Sequence, residues 1–114
     1  MSNRAWMPFY IGDYMAGTGH LSTVQHGAYL LLIFQYWAKG GLPDDDTQLA
    51  NITRLPLKDW MHHRPTLQAF FHDGWRHRRL EAELHRMTVI HEKKVAAGSK
   101  GGTVASINRF RRRS

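Results

Sequence analysis

Cysteine is absent from the sequence of 114 residues, which excludes disulfides and thiolate metal sites and suits a reducing compartment. Long hydrophobic runs are absent too: the longest, at residues 28–34, is far short of the roughly 20 residues that span a bilayer. The N-terminal segment contains no apolar stretch of the kind that directs secretion. We therefore expect one domain that has no membrane span and stays in the cytoplasm.

Signatures of catalysis and metal binding are also missing. The segments "GTG" and "SKGG" lack the rest of a phosphate-binding loop, and no serine lies in a nucleophile-elbow pattern. Eight histidines are present, but His62 and His63 are adjacent and no His-Glu-x-x-His pattern occurs. The "DDD" at 44–46 is explained more simply as a helix start than as a magnesium site. We expect no enzyme, no bound metal and no cofactor.

Positive charge is abundant and unevenly placed. The net charge is +7, yet residues 1–92 contain nine basic and nine acidic residues, which cancel. The excess lies in a basic segment at 93–114, with Lys93, Lys94, Lys100, Arg109, Arg111, Arg112 and Arg113. Phe110 lies inside the arginine cluster, which suits phosphate contacts together with stacking on an unpaired base. Such a segment indicates a polyanionic partner, either nucleic acid or an anionic membrane surface, and a merely solubilising end is the alternative.

Local patterns predict the order strand, helix, helix, helix, hairpin, helix. The β-prone residues 9–11 follow Pro8 and form a candidate edge strand. Ser22 is the predicted N-cap of a long apolar helix, with Gln25 in the capping-box position and Gly40 as its stop. This helix is apolar on almost every face, so we expect it in the centre of the domain.

Two shorter helices are predicted next. Asp46 is the expected cap of the first, and a Leu-Pro-Leu turn leads into the second. The inward residues of that third helix are predicted to be Leu57, Trp60, Leu67 and Phe71. Pro65 should either kink this helix or start a new turn, because a proline in mid-helix costs roughly 3 kcal/mol.

The stretch "FFHDGWRHRR" predicts a β-hairpin with Asp73-Gly74 as its two-residue turn, and a last helix follows from about residue 80. The predicted fold class is α+β, mainly α: a winged helix-turn-helix with a small antiparallel sheet, a C-terminal helix and a basic tail. The predicted boundaries are an N-terminal arm at 1–7, the domain at 8–97 and a flexible tail at 98–114.

In such a fold the hairpin can lie along phosphates while the third helix enters a groove. Strand alternation places Trp75 inward and turns Arg76 and Arg78 toward solvent or DNA. The predicted nucleic-acid contacts within the domain are Lys58, His62, His63, Arg64, Gln68, Arg76, Arg78 and Arg79. The alternative is a solvated charged face, on which the arginines pair with Asp73, Glu81 and Glu83.

Several ordered motifs resemble those of the YdaU family, a domain of phages and prophages. They are Gly-Asp-Tyr near the start, His-Gly-Ala-Tyr, Leu-Pro-Asp-Asp, Arg-Pro, the Arg-Leu-Glu-x-Glu-Leu after the hairpin, and "EKKVAAGSKGG". The resemblance covers about residues 8–102. It implies a winged-helix-like fold and an origin in phage or prophage DNA, where such domains often begin replication-initiation proteins. It supplies no binding or catalytic residue.

We expect a phage or prophage protein that binds nucleic acid, DNA rather than RNA, during replication initiation in a bacterial host. The alternative is an interaction module that recruits or inhibits a helicase, a polymerase or a defence complex. A transcriptional regulator is a third possibility and would need a dimer. An exposed apolar patch favours a protein partner, whereas cations aligned on one side favour DNA.

Overall fold

The structure is a computed structural model that describes the backbone of residues 6–105 and the side chains of residues 6–91. Over this range the chain forms the helices α1 (Ile11–Gly17), α2 (Thr23–Lys39), α3 (Asp46–Thr53), α4 (Leu57–Gln68) and α5 (Arg78–Ala105). The chain divides into two units, Met1–Glu83 and Leu84–Ser114. None of the described helices is long and apolar enough to cross a membrane.

The predicted winged helix with an antiparallel sheet is wrong, because no strand or sheet forms among the described residues. The predicted edge strand does not form: Phe9 and Tyr10 precede α1, Ile11 begins it, and the Tyr14 N–H donates to the Tyr10 carbonyl at 2.9 Å. The predicted hairpin is reduced to one antiparallel bridge between His72 and Arg76. A single strand pair is marginal in water, and the helix that begins at Arg78 leaves no length for a second arm.

Helix α2 forms as its sequence predicts. The Ser22 hydroxyl accepts from the Gln25 N–H, and the Gln25 side chain accepts from the Ser22 N–H, so the predicted capping box is confirmed. Gly40 ends the helix in the left-handed conformation at φ 87°, where a glycine carries no steric cost. Six residues of α2 are buried, namely Ala28, Tyr29, Leu32, Ile33, Tyr36 and Trp37. This central position is the one expected of a helix without a polar face.

Helices α3 and α4 pack against each other and against α2. The predicted cap of α3 is one residue out: Asp45 accepts from the Gln48 N–H at 2.9 Å, and Asp46 is already helical. The Asp46 carboxylate instead accepts from Trp60 Nε1 at 2.9 Å and from Arg64 at 3.3 Å. Either Asp45 or Asp46 could cap α3 from the sequence alone. The bonds that Asp46 accepts from α4 leave Asp45 as the cap.

The core of the first unit centres on fully buried side chains from α2, α3 and α4, namely Leu32, Tyr36, Leu49, Trp60 and Leu67. Trp60 and Trp75 pack with their ring centroids 5.5 Å apart, so the Asp-Gly turn serves to bring Trp75 inward. The predicted inward positions of Trp60, Leu67 and Phe71 are confirmed. The predicted inward position of Leu57 is wrong, because Leu57 is the first residue of α4 and is 48% exposed. Helix α4 continues through Pro65 rather than restarting there.

Helix α5 begins two residues before its predicted start and continues to Ala105. In the second unit, Leu84 and Met87 are half-buried and Ile90 is exposed. Thr88 donates to the Leu84 carbonyl at 3.0 Å, a bond within the helix. The predicted boundary between domain and tail stays a prediction, since residues 106–114 lie outside the described range.

Candidate functional site

A pocket of about 340 Å³ lies in the first unit, beside α1, α2 and the start of α5. Its walls include five aromatic residues, Phe9, Tyr10, Tyr14, Tyr29 and Phe70. Tyr29 stacks on Phe70 with centroids 4.4 Å apart and on Tyr14 with centroids 6.0 Å apart. Phe9 is tilted against Tyr14 at 5.2 Å. The arrangement gives a row of packed rings with one open side.

His77 forms the polar end of the pocket. Its Nε2 lies 2.9 Å from Tyr29 Oη, and its Nδ1 accepts from the Leu80 N–H at 3.2 Å. The Leu80 bond is that of an N-cap, since His77 directly precedes α5. Burial, with smaller effects of Arg79 and His72, lowers the pKa of His77 to about 4. Burial also raises the pKa of Tyr29 to about 12, so both groups are neutral at pH 7.

The hydrogen bonds of His77 determine its tautomer. The Leu80 N–H can only donate, so Nδ1 carries no proton, and a neutral ring must then carry its proton on Nε2. Nε2 therefore donates to Tyr29 Oη, and the Tyr29 hydroxyl hydrogen remains available to an acceptor. A buried hydroxyl with an unused hydrogen favours a ligand that can accept it.

Tyr36 joins α2 to the start of α5. Its hydroxyl donates to the Glu81 carboxylate and accepts from the His77 N–H at 3.1 Å. Burial, together with the Glu81 hydrogen bond, raises the pKa of Tyr36. These contacts hold the backbone of His77 against α2, so the position of the imidazole is set by two elements at once.

The rim of the pocket contains an ion pair. Arg79 donates to the Asp13 carboxylate at 2.7 Å, and its guanidinium lies 4.8 Å from the centroid of the Tyr10 ring. Deeper in, Tyr14 Oη and His26 Nδ1 are 2.7 Å apart, and burial raises the pKa of Tyr14. The ion pair neutralises the rim, so the pocket as a whole suits an uncharged group.

The predicted contact residues of α4 differ in how far they are engaged. Lys58 and His62 are exposed, whereas His63 and Gln68 are half-buried. His63 Nδ1 lies 3.1 Å from the Gln25 amide nitrogen, and Arg64 is bound to Asp46. Lys58 therefore remains the one lysine or arginine of α4 that is without an ion pair among residues 6–91.

The predicted arginines after the Asp-Gly turn also separate into two kinds. Trp75 is buried and Arg76 and Arg78 are exposed, as strand alternation predicted, although the segment is not a strand. Arg76 lies 4.0 Å from Glu81, a weak pair, and Arg78 makes no ion pair with the side chains described. Arg79, which is also predicted as a phosphate contact, donates to the Asp13 carboxylate at 2.7 Å, and its role toward phosphate stays a prediction.

The remaining predicted contacts cannot be placed. The side chains of Lys93, Lys94 and Lys100 lie outside the described residues, as do Arg109, Phe110, Arg111, Arg112 and Arg113. Among side chains 6–91, no three histidine or acidic residues gather as they would around a metal ion.

Sequence reasoning missed the pocket altogether. Tyr14 and Tyr29 belong to Gly-Asp-Tyr and His-Gly-Ala-Tyr, two of the motifs behind the family resemblance, and Arg79 belongs to a third. Because α2 is apolar on almost every face, its sequence does not distinguish Tyr29, which lines the pocket, from the other core residues. The available signal was the presence of a tyrosine hydroxyl in the first two of these motifs, since buried polar groups need partners.

We expect the free energy of unfolding to fall as the pH is lowered from about 6.5 to about 4, because of His77. Its pKa is about 4 in the folded chain and ordinarily 6.5, so in this window the unfolded chain binds more protons. Protonation would also remove the acceptor of the Leu80 N–H. The full effect is about 2 kcal/mol once partial exposure is allowed for. Urea unfolding at stepped pH measures it.

The matched control for this pH effect is His77→Asn. Asparagine keeps an N-cap acceptor for α5 but does not titrate. The variant should show a smaller loss of stability between pH 6.5 and 4 than the natural chain. Equal losses in the two proteins would show that other groups cause the pH dependence.

Residues 5–85 match a family described as a protein of unknown function (DUF1376). The chain is also 45% identical over 101 residues to "Uncharacterized protein YdaU" of Escherichia coli (strain K12). The aligned region covers 86% of this chain and 35% of that relative. The chain thus spans about a third of the length of this curated relative. No solved structure matches. The resemblance to YdaU drawn from the sequence motifs is confirmed, and the chain belongs to the DUF1376 family.

Proposed function

We propose that the protein binds nucleic acid and acts in DNA replication initiation of a phage or prophage, in the cytoplasm of a bacterial host. The observation that carries the proposal is the charge distribution: the excess of +7 lies in residues 93–114, while residues 1–92 are neutral. Seven closely spaced cations beside a neutral domain are suited to a polyanion. The role in replication and the phage origin rest on the family resemblance.

Exposed cations of the first unit support this proposal. Arg78 is the first residue of α5 and is exposed. Arg78 has no ion pair among the described side chains and Arg76 only a weak one, so both guanidinium groups are available to phosphate oxygens. Binding of this kind is mainly electrostatic, with little sequence preference.

The test is fluorescence anisotropy of labelled single-stranded and double-stranded DNA against the full chain across a salt series. We expect binding that weakens steeply with salt. Arg78→Gln should lower the affinity by about 3-fold to 10-fold at low salt and reduce the salt slope by about 1, because one phosphate contact is lost.

The matched control is Lys39→Gln, which removes one exposed cation from the last turn of α2. Its affinity should stay near that of the natural chain, since Lys39 lies on another element. Equal losses in the two variants would mean that only the net charge matters. The absence of binding to either DNA at low salt would overturn the proposal.

A second candidate function is docking to a protein of the replication machinery or of a defence complex. Its support is the exposed apolar segment at 6–15, in which Trp6, Ile11 and Met15 are 64%, 67% and 64% exposed. Helix α1 contains no buried residue, which is unusual for a helix that is retained only for packing. The docking function would be favoured over nucleic-acid binding if the salt series showed no binding to DNA.

A further inference from the structure

We propose that the aromatic pocket holds one unpaired base of a single-stranded nucleic acid. The inference deepens the proposed function and depends on it. It rests on three features of the pocket: an unused hydroxyl hydrogen, aromatic walls, and a neutral interior beside exposed arginine.

The hydroxyl of Tyr29 is the first feature. Tyr29 is only 5% exposed, and the one polar partner of its oxygen among the described residues is His77 Nε2 at 2.9 Å. Because Nδ1 of the same ring accepts from Leu80, Nε2 must donate, and the Tyr29 hydrogen has no acceptor among the described residues. Every nucleobase has a carbonyl oxygen or a ring nitrogen that accepts a hydrogen bond. One such atom would satisfy Tyr29.

The walls are the second feature. Phe9 and Tyr10 are 40% and 42% exposed, whereas Tyr29 is buried and packs against Tyr14 and Phe70. The exposed part of the Phe9 ring offers a stacking face to any base, which is worth about 1–3 kcal/mol per base and tolerates sequence. The volume of about 340 Å³ is at the small end of ligand pockets, which suits one planar ring system.

Charge is the third feature. His77 and Tyr29 are neutral, and Arg79 is paired with Asp13 at the rim, so the interior suits an uncharged group. Arg78 is the neighbour of Arg79 in the chain and is exposed without an ion pair in the described part. A nucleotide matches this pattern, with its neutral base in the pocket and its phosphate in solvent at the rim.

The experiment compares two labelled single-stranded oligonucleotides of equal length and charge, one with bases and one built from abasic residues. The full chain should bind the first about 10-fold more tightly, because only that one can stack. Tyr29→Phe keeps the ring and removes the hydroxyl. It should weaken binding of the first oligonucleotide by about 5-fold, the equivalent of one hydrogen bond, and leave the abasic one unchanged.

A second variant guards against misfolding of Tyr29→Phe. Phe9→Leu replaces a half-exposed wall residue and should cause the same selective loss, while Phe34→Leu, at an exposed residue of α2 outside the pocket, should cause none. Equal binding of the two oligonucleotides by the natural chain would overturn the base pocket while nucleic-acid binding stands. Failure of both oligonucleotides to bind would overturn the proposed function itself.

Discussion

Neutralising the basic segment should lower the affinity for DNA by on the order of 100-fold at low salt. The variant carries glutamine at all seven basic positions, namely Lys93, Lys94, Lys100, Arg109, Arg111, Arg112 and Arg113. Each cation that meets a phosphate releases a counterion, so the loss of several contacts removes most of the electrostatic free energy of binding. The residual affinity would come from Arg78 and the other exposed cations of the first unit. Anisotropy across a salt series measures both the affinity and the slope.

The control for this variant exchanges lysine and arginine at the same seven positions, which keeps every charge. Its affinity should remain within a few-fold of the natural chain if charge is what binds. Thermal unfolding should be similar in all three proteins, because the core residues lie in the first unit. If the neutralised variant bound DNA as well as the natural chain does, the basic segment would not be the main DNA contact. The first unit would then be the binding surface.

Trp60→Ala should destabilise the folded chain by about 3–5 kcal/mol. Trp60 is fully buried, packs on Trp75 and donates its Nε1 hydrogen to Asp46. The substitution leaves a large cavity and removes one of the two donors that hold the Asp46 carboxylate. Because small domains are stable by only about 5–15 kcal/mol in total, a large part of the stability is lost. Urea unfolding monitored by circular dichroism measures the change.

Two variants locate the cause of that loss. Trp60→Phe keeps an aromatic ring against Trp75 but cannot donate to Asp46, so it should cost about 1–3 kcal/mol. Met61→Ala changes the exposed next residue of α4 and should cost under about 1 kcal/mol. If Trp60→Ala were no more destabilising than Met61→Ala, the junction of α3, α4 and the Asp-Gly turn would not be the centre of the core.

The helices were the predictable part of the fold because their signals are local. The capping box of Ser22 and Gln25 and the stop at Gly40 involve residues within one or two turns, so the sequence states them directly. The wing was predicted wrongly for the opposite reason. Asp73-Gly74 does make a turn, but whether strands extend from it depends on a partner strand and on space that no local pattern reports.

The candidate site shows the same division. The basic segment is visible in the sequence because charge is a sum over residues, whatever their positions. The pocket is not visible, because Tyr14, Tyr29 and His77 come from three distant parts of the chain and carry no spacing rule. Arg79 could be assigned to phosphate or to an ion pair from the sequence, and only the folded chain brings Asp13, 66 residues away in the sequence, within 2.7 Å of it.

The sequence by itself therefore determined the absence of disulfides, the uneven charge and the capped helix α2. Tertiary structure alone decided that the chain makes helices where strands were expected, and that a buried tyrosine keeps an unused hydrogen. The physical reason is that capping and net charge depend on neighbours in the chain. Strand pairing, burial and the tautomer of His77 depend on residues brought together from far apart.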